Sequence, residues 1–115
     1  MLREVEGSWQ VDDVRPAQGG RPVKDFIDGL SKAAKAKVYA ALEMLARYGN
    51  ELRMPRSRSL GGGLHELRVA HPEGPFRLIY CFLPGRRIVL LHAFVKRTDE
   101  IPARELEVAR ARRAE

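Results

Sequence analysis

Between residues 64 and 95 three segments rich in β-branched and aromatic side chains follow one another, joined by links too short to contain a helix. Leu64 to Val69, Phe76 to Leu83 and Arg86 to Val95 therefore read as strands. Pro84-Gly85 is a tight hairpin between the last two, and His71-Pro-Glu-Gly-Pro75 is a looser loop between the first two. Parallel neighbours need a crossover of a dozen or more residues, so these three strands are expected to form an antiparallel meander. Such a sheet needs a covering layer on its apolar face.

The chain upstream supplies that layer. Pro22 suits the first turn of a helix running to Leu30, in which Val23, Phe26, Ile27 and Leu30 share a side. Ser31 is placed to cap a second helix over 32–48, stopped by Gly49-Asn50, with Ala34, Val38, Leu42 (or Ala41) and Leu45 as its apolar stripe. Val5, Gly7, Trp9 and Val11 alternate with polar residues, which predicts a strand over 2–12. Residues 53–63 read as a basic loop. Its Gly61–Gly63 end is a turn and not a phosphate cradle, because no helix N-terminus follows. A last helix over 102–114 starts at Pro102, carries Leu106 and Ala109 on one side, and ends in Arg110, Arg112 and Arg113. The order β-α-α-β-β-β-α is α+β, and 115 residues suit one domain over 1–115.

The cations are not spread evenly. Residues 1–52 hold eight Lys/Arg against eight Asp/Glu, and residues 98–115 hold four against five. Residues 53–97 hold nine (Arg53, Arg56, Arg58, Arg68, Arg77, Arg86, Arg87, Lys96, Arg97) against only Glu66 and Glu73, which produces the formal net charge of +6. The excess should lie on one sheet and its rims. A sheet with a basic face suits a polyanion, and nucleic acid is the commonest.

Other classes fall away. The apolar runs, Ile88 to Leu91 among them, are far short of the roughly 20 residues a membrane span needs. No charged-then-apolar leader pattern opens the chain, so a cytoplasmic protein is expected. The lone Cys81 reads as a small buried hydrophobe and not as a nucleophile. His65, His71 and His92 lack zinc-motif spacing, and no P-loop or dinucleotide fingerprint occurs, so no metal or cofactor is expected.

A period of two sorts the basic residues further. Leu64, Glu66 and Arg68 share a face. So do Arg77, Ile79, Cys81 and Leu83, and on strict alternation Ile88, Leu90, His92, Phe94 and Lys96. Arg68, Arg77, Lys96 and His92 are expected to converge at an open end of the sheet. Strands lie about 4.8 Å apart, close enough for these tips to meet around one phosphate. The competing reading pairs Arg68 and Arg77 with Glu66 or Glu73 in structural salt bridges. His65 and His92 read equally as core residues, and Trp9 as a core residue or a stacking ring. Lys32, Lys35 and Lys37 form either a solvated helix face or an extension of a binding surface. Arg86 and Arg87 are a solvated edge, and His71 an exposed loop residue.

Three strings carry a resemblance: Gly63-Leu-His-Glu-Leu-Arg68, Phe76-Arg-Leu-Ile-Tyr80 and Ile88-Val-Leu-Leu-His-Ala-Phe-Val-Lys-Arg-Thr98. Together they resemble the RelE/HigB-type toxins of bacterial type II toxin–antitoxin systems, nearest the phage-derived HigB-like host-killing branch. Pro22-Val-Lys-Asp-Phe-Ile27, Tyr48-Gly49, Met54-Pro55 and the Arg/Glu-rich last helix fit the same branch. The resemblance implies a RelE/ParE-like fold: a small antiparallel sheet, an N-terminal helical pair on one face, and a C-terminal helix. It also implies a metal-free, ribosome-dependent mRNA endoribonuclease that inhibits translation. Its partners would be mRNA on the ribosome, rRNA, and a cognate antitoxin of helix-turn-helix type with which it forms an oligomer.

The reaction so implied is in-line attack of a 2′-OH on the adjacent phosphate, which needs a base, an acid and cations for the phosphorane. Arg77 matches the family arginine that binds the scissile phosphate, and Arg68 the arginine of the Leu-Arg motif. Lys96 and Arg97 match the basic pair that stabilises the transition state. His65 or His92 would supply acid and base, and Arg53, Arg56, Arg58 and Arg97 the RNA-binding rim. RelE itself carries lysines where this chain has Leu64 and Glu66, and a C-terminal tyrosine with no equivalent after Lys96. Two other functions stay open: a ParE-type gyrase inhibitor, and a non-catalytic RNA- or antitoxin-binding member of the same fold.

Overall fold

The computed structural model describes residues 3–4 and 8–115. Among them are six strands: β1 (Arg3–Glu4), β2 (Gln10–Asp13), β3 (Ser57–Gly61), β4 (Leu64–Val69), β5 (Phe76–Leu83) and β6 (Arg87–Val95). Three helices accompany them: α1 (Pro22–Asp28), α2 (Lys32–Tyr48) and α3 (Ala103–Ala114). The strands form one sheet in the order β1-β2-β6-β5-β4-β3. The α+β layout read from the sequence holds, with a helical pair, a meander and a closing helix.

Local chemistry explains the helical pair. The Ser31 hydroxyl accepts from the Ala34 amide at 3.2 Å and donates to Glu73 Oε2 at 2.6 Å, so the α2 cap also ties down the β4–β5 loop. Ala34, Val38, Leu42 and Leu45 are fully buried, as their spacing predicts. In α1, Val23 and Ile27 are buried, and the Phe26 ring packs edge-on to Phe76 with centroids 6.0 Å apart. The pair thus covers the sheet face that carries Phe76. Helix α3 lies on the opposite face, where Glu105 and Arg112 both reach His92.

Three features depart from the sequence reading. Where one strand over 2–12 is expected there are two short strands: β1 pairs antiparallel with β2, Arg3 opposite Val11. Residues 2 and 5–7 of that expected strand lie outside the described residues. Strand β2 then pairs in parallel with β6, making the sheet mixed and not wholly antiparallel.

The expected basic loop over 53–63 contains strand β3, which pairs antiparallel with β4. Its only buried side chain is Ser57, bonded to the Tyr80 hydroxyl. An edge strand with charged side chains has no apolar period to read, and this is how exposed edges avoid further pairing. Gly61, Gly62 and Gly63 do form the turn that feeds β4.

The third departure is a β-bulge. Ile79 pairs with His92 but Tyr80 pairs with Leu90, which leaves Leu91 as an extra residue. His92 and Phe94 therefore share the face of Ile79 and Arg77, whereas Leu90 and Ile88 sit opposite Tyr80 and Phe82 on the other face. Strict alternation had put all of them together.

Candidate anion-binding site

Strand register builds the site. Arg58 stands opposite Glu66, and Arg68 stands opposite Arg77. Opposed residues share a face, and so do residues two apart along a strand. All four side chains accordingly lie on one face of β3, β4 and β5, beyond the area that α3 covers. Glu66 is the hub. Its carboxylate lies 3.0 Å from Arg58 Nε, 4.0 Å from Arg68 Nε and 3.5 Å from Arg77 Nε.

Glu66 is 1% exposed and Arg77 6%, whereas Arg58 and Arg68 reach solvent. Three guanidiniums around one carboxylate leave two positive charges uncompensated. Burial, with Arg68 and Arg58 nearby, pulls the Arg77 pKa below its ordinary range, and Glu66 pushes back. A guanidinium stays protonated through such a shift. Arg77 Nη1 donates to the Phe76 carbonyl at 3.0 Å, while Arg77 Nε and Glu66 Oε2 are buried without a hydrogen-bond partner. That leaves the pair held by charge and not by a well-aligned hydrogen bond.

The other expected site residues go elsewhere. Lys96 does not close on the arginines: its ammonium donates to the Asp99 carbonyl at 2.8 Å, and Phe94 stands directly opposite Arg77. His92 shares the arginine face but is separated from Glu66 by Ile79 in the same cross-strand row. Arg112 Nη1 donates to His92 Nδ1 at 3.2 Å, which puts the ring proton on Nε2, facing Glu105 Oε1 at 2.9 Å. Both ring nitrogens are engaged in docking α3. The same Arg112 group also caps the Leu91 carbonyl at the bulge.

His65 lies on the opposite face from Arg68 and Arg77. It stacks on Tyr80 with centroids 5.4 Å apart and meets Phe82 edge-on. Burial first, and the Arg113 charge second, pull its pKa below 6.5. His71 is half-buried against Phe76 and accepts from the Glu73 amide, so it is not the free loop residue expected. Cys81 is buried and its thiol pKa is raised by that burial, as a packed hydrophobe's would be. Trp9 is part of the packing: it meets Phe82 at 5.2 Å, and Arg86 lies over its ring.

Of the expected rim, Arg53, Arg56 and Arg97 are exposed, and Arg58 is drawn into the cluster. A cavity of about 510 Å³ opens beside the cluster, where α2 meets the free end of β4; Lys37, Arg56, Arg68 and Arg77 are among its walls. Glu66 as hub was legible as Glu66-Leu-Arg68, since residues two apart in a strand share a face. Arg58 was not, because its position depends on β3. Among the described residues, no group of three or more His, Cys, Asp or Glu side chains is placed to hold a metal ion, and no helix is long and apolar enough to cross a membrane.

Comparison with known proteins agrees in kind. The family model for phage-derived proteins of the Gp49-like type (DUF891) matches residues 25–114. No curated protein gives a significant match. The match runs from within α1 through α2, the strands β3, β4 and β5 that carry the basic cluster, β6 and α3, and from this it follows that the chain belongs to the phage-derived, toxin-like Gp49-like family.

Proposed function

We propose that this chain is the toxin of a toxin–antitoxin pair, and that it cleaves mRNA held on the ribosome. The observation that supports RNA as its target is the excess of two positive charges where Arg58, Arg68 and Arg77 surround Glu66. Exposed Arg53 and Arg56 extend that positive field along the strand edge. A fixed guanidinium fork suits a phosphate, and preorganised cations stabilise the charge that develops on a phosphorane. Arg58 and Arg68 would meet the phosphate from solvent. Arg77 would stand behind them, held in orientation by Glu66.

A second reading has its own support. The two histidines available as acid and base are occupied: His65 packs on the far face, and His92 spans Arg112 and Glu105. A chain with phosphate-binding cations and no free proton-transfer group beside them would bind without cutting, as a gyrase inhibitor or an RNA-binding toxin.

Expression under tight control, with mRNA 5′ ends mapped on translating ribosomes, separates these readings. Codon-phased cuts support the nuclease. Intact mRNA with blocked DNA supercoiling supports gyrase inhibition, and intact mRNA with normal supercoiling supports RNA binding alone.

A further inference from the structure

The cavity beside the arginine cluster has a composition that the phosphate site does not need. Its floor is aliphatic: Ala40, Ala41 and Met44 from α2 face Leu67 and Val69 from β4. Lys37, Arg56, Arg68 and Arg77 also line it, and among the described residues no acidic side chain does. Among the described residues, the two large apolar side chains left exposed extend it at one end. Tyr48, 45% exposed, follows Met44 by one helical turn, and Met54, 56% exposed, precedes Pro55 in the cavity wall and accepts a hydrogen bond from Arg68. From Lys37 to Tyr48 the α2 side of this groove is about 16 Å long at 1.5 Å per residue.

We propose that this groove seats an acidic, apolar peptide segment of the protein that neutralises the toxin. The inference rests on the toxin reading above and adds the place and chemistry of the partner's contact. An aliphatic floor ringed by cations complements a helix that presents Leu, Ile or Met on one side and Asp or Glu beside them. A nucleobase fits the same groove poorly. Its aliphatic floor offers no ring for stacking, Tyr48 standing only beyond its end, and among the described residues no Ser, Thr, Asn or Gln side chain lines it to read a base edge. A peptide lying there would reach Arg68 and Arg77 at the free end of β4, so the partner's contact would adjoin the phosphate site.

The test uses the full chain. A displayed library of peptides about 12 residues long, matched to the groove, is selected on the wild-type protein with the Met44→Gln variant as counter-selection. Recovered peptides are labelled and titrated against wild type, Met44→Gln and Ala40→Gln, with a labelled oligouridine as the RNA probe. Ala40 is exposed on α2, so its variant carries the test should Met44→Gln lose its fold.

Recovered peptides should combine acidic and aliphatic residues at helical spacing and bind both variants about tenfold more weakly, a difference of about 1.4 kcal/mol. Both variants should keep oligouridine affinity and growth arrest at wild-type level. Recovery of no peptide beyond the counter-selection, peptides without acidic residues, or binding indifferent to both substitutions overturns the proposal. Loss of oligouridine binding in parallel assigns the groove to RNA instead. A wild-type chain that leaves growth untouched refutes the toxin reading, while the peptide titration still judges the groove.

Discussion

Glu66 governs the electrostatics of the open face because, among the described residues, it is the one carboxylate within reach of three guanidiniums. Glu66→Gln removes the shared anion and leaves Arg77 buried without a counter-charge. Removing one member of a buried ion pair typically costs about 3 kcal/mol, and urea unfolding should show a loss of that order. Arg77→Ala would mix loss of phosphate binding with loss of stability, because Arg77 is also the buried partner of Glu66. Arg68→Ala is the cleaner probe: it should weaken oligouridine binding about tenfold (about 1.4 kcal/mol) while leaving the urea midpoint nearly unchanged. Loss of stability without loss of binding in that variant would remove Arg68 from the site. His65 gives a pH signature. Its folded pKa lies below 6.5, so above that pH both states are neutral and stability does not depend on the group. As pH falls through 6.5 the unfolded chain takes up a proton that the folded chain resists, and stability declines. Melting curves between about pH 5 and 8 should show this slope in the wild type and a flatter one in His65→Gln.

At the level of elements, legibility depended on whether a segment has a buried face. Helix α2 was readable from cap to stop because Ser31, a four-residue apolar stripe and Gly49 all act locally. Gly49 has φ +52°, and a Cβ there would lie 2.0 Å from Trp9 Nε1. Gly49→Ala should therefore cost about 2–3 kcal/mol, read as a lower urea midpoint. If the variant is as stable as the wild type, the seating of Trp9 on the end of α2 is wrong. Strand β3 escaped reading because it is an edge with one buried side chain. The β6 bulge escaped because nothing in Leu90-Leu91-His92 announces an extra residue. Its carbonyl is held by Arg112 from α3, a contact 21 residues away in sequence. Arg112→Ala should free His92 and the Leu91 carbonyl at a cost of about 1–2 kcal/mol. Hydrogen exchange should speed up in α3 while the protection of β4 and β5 holds.

Across the whole molecule the charge map makes a prediction that needs no single residue. Oligouridine affinity should fall linearly in log–log plots against salt, with a slope of about −0.7 for each phosphate neutralised. Glu66→Gln, which strengthens the positive field, should steepen that slope, and a salt-independent affinity would argue against phosphate binding altogether. The one-dimensional order of residues sufficed for element order, helix caps, apolar stripes and the concentration of cations in residues 53–97, because each of these is a local period or a count. Which cations meet was settled only in three dimensions. Pairing register brought Arg58 beside Glu66, one extra residue in β6 turned Ile88 and Leu90 to the other face from His92, and α3 took both nitrogens of that ring. The physical reason is that a side chain's face is inherited from every pairing before it in the sheet, and a buried carboxylate gathers whichever guanidiniums that register leaves within its reach.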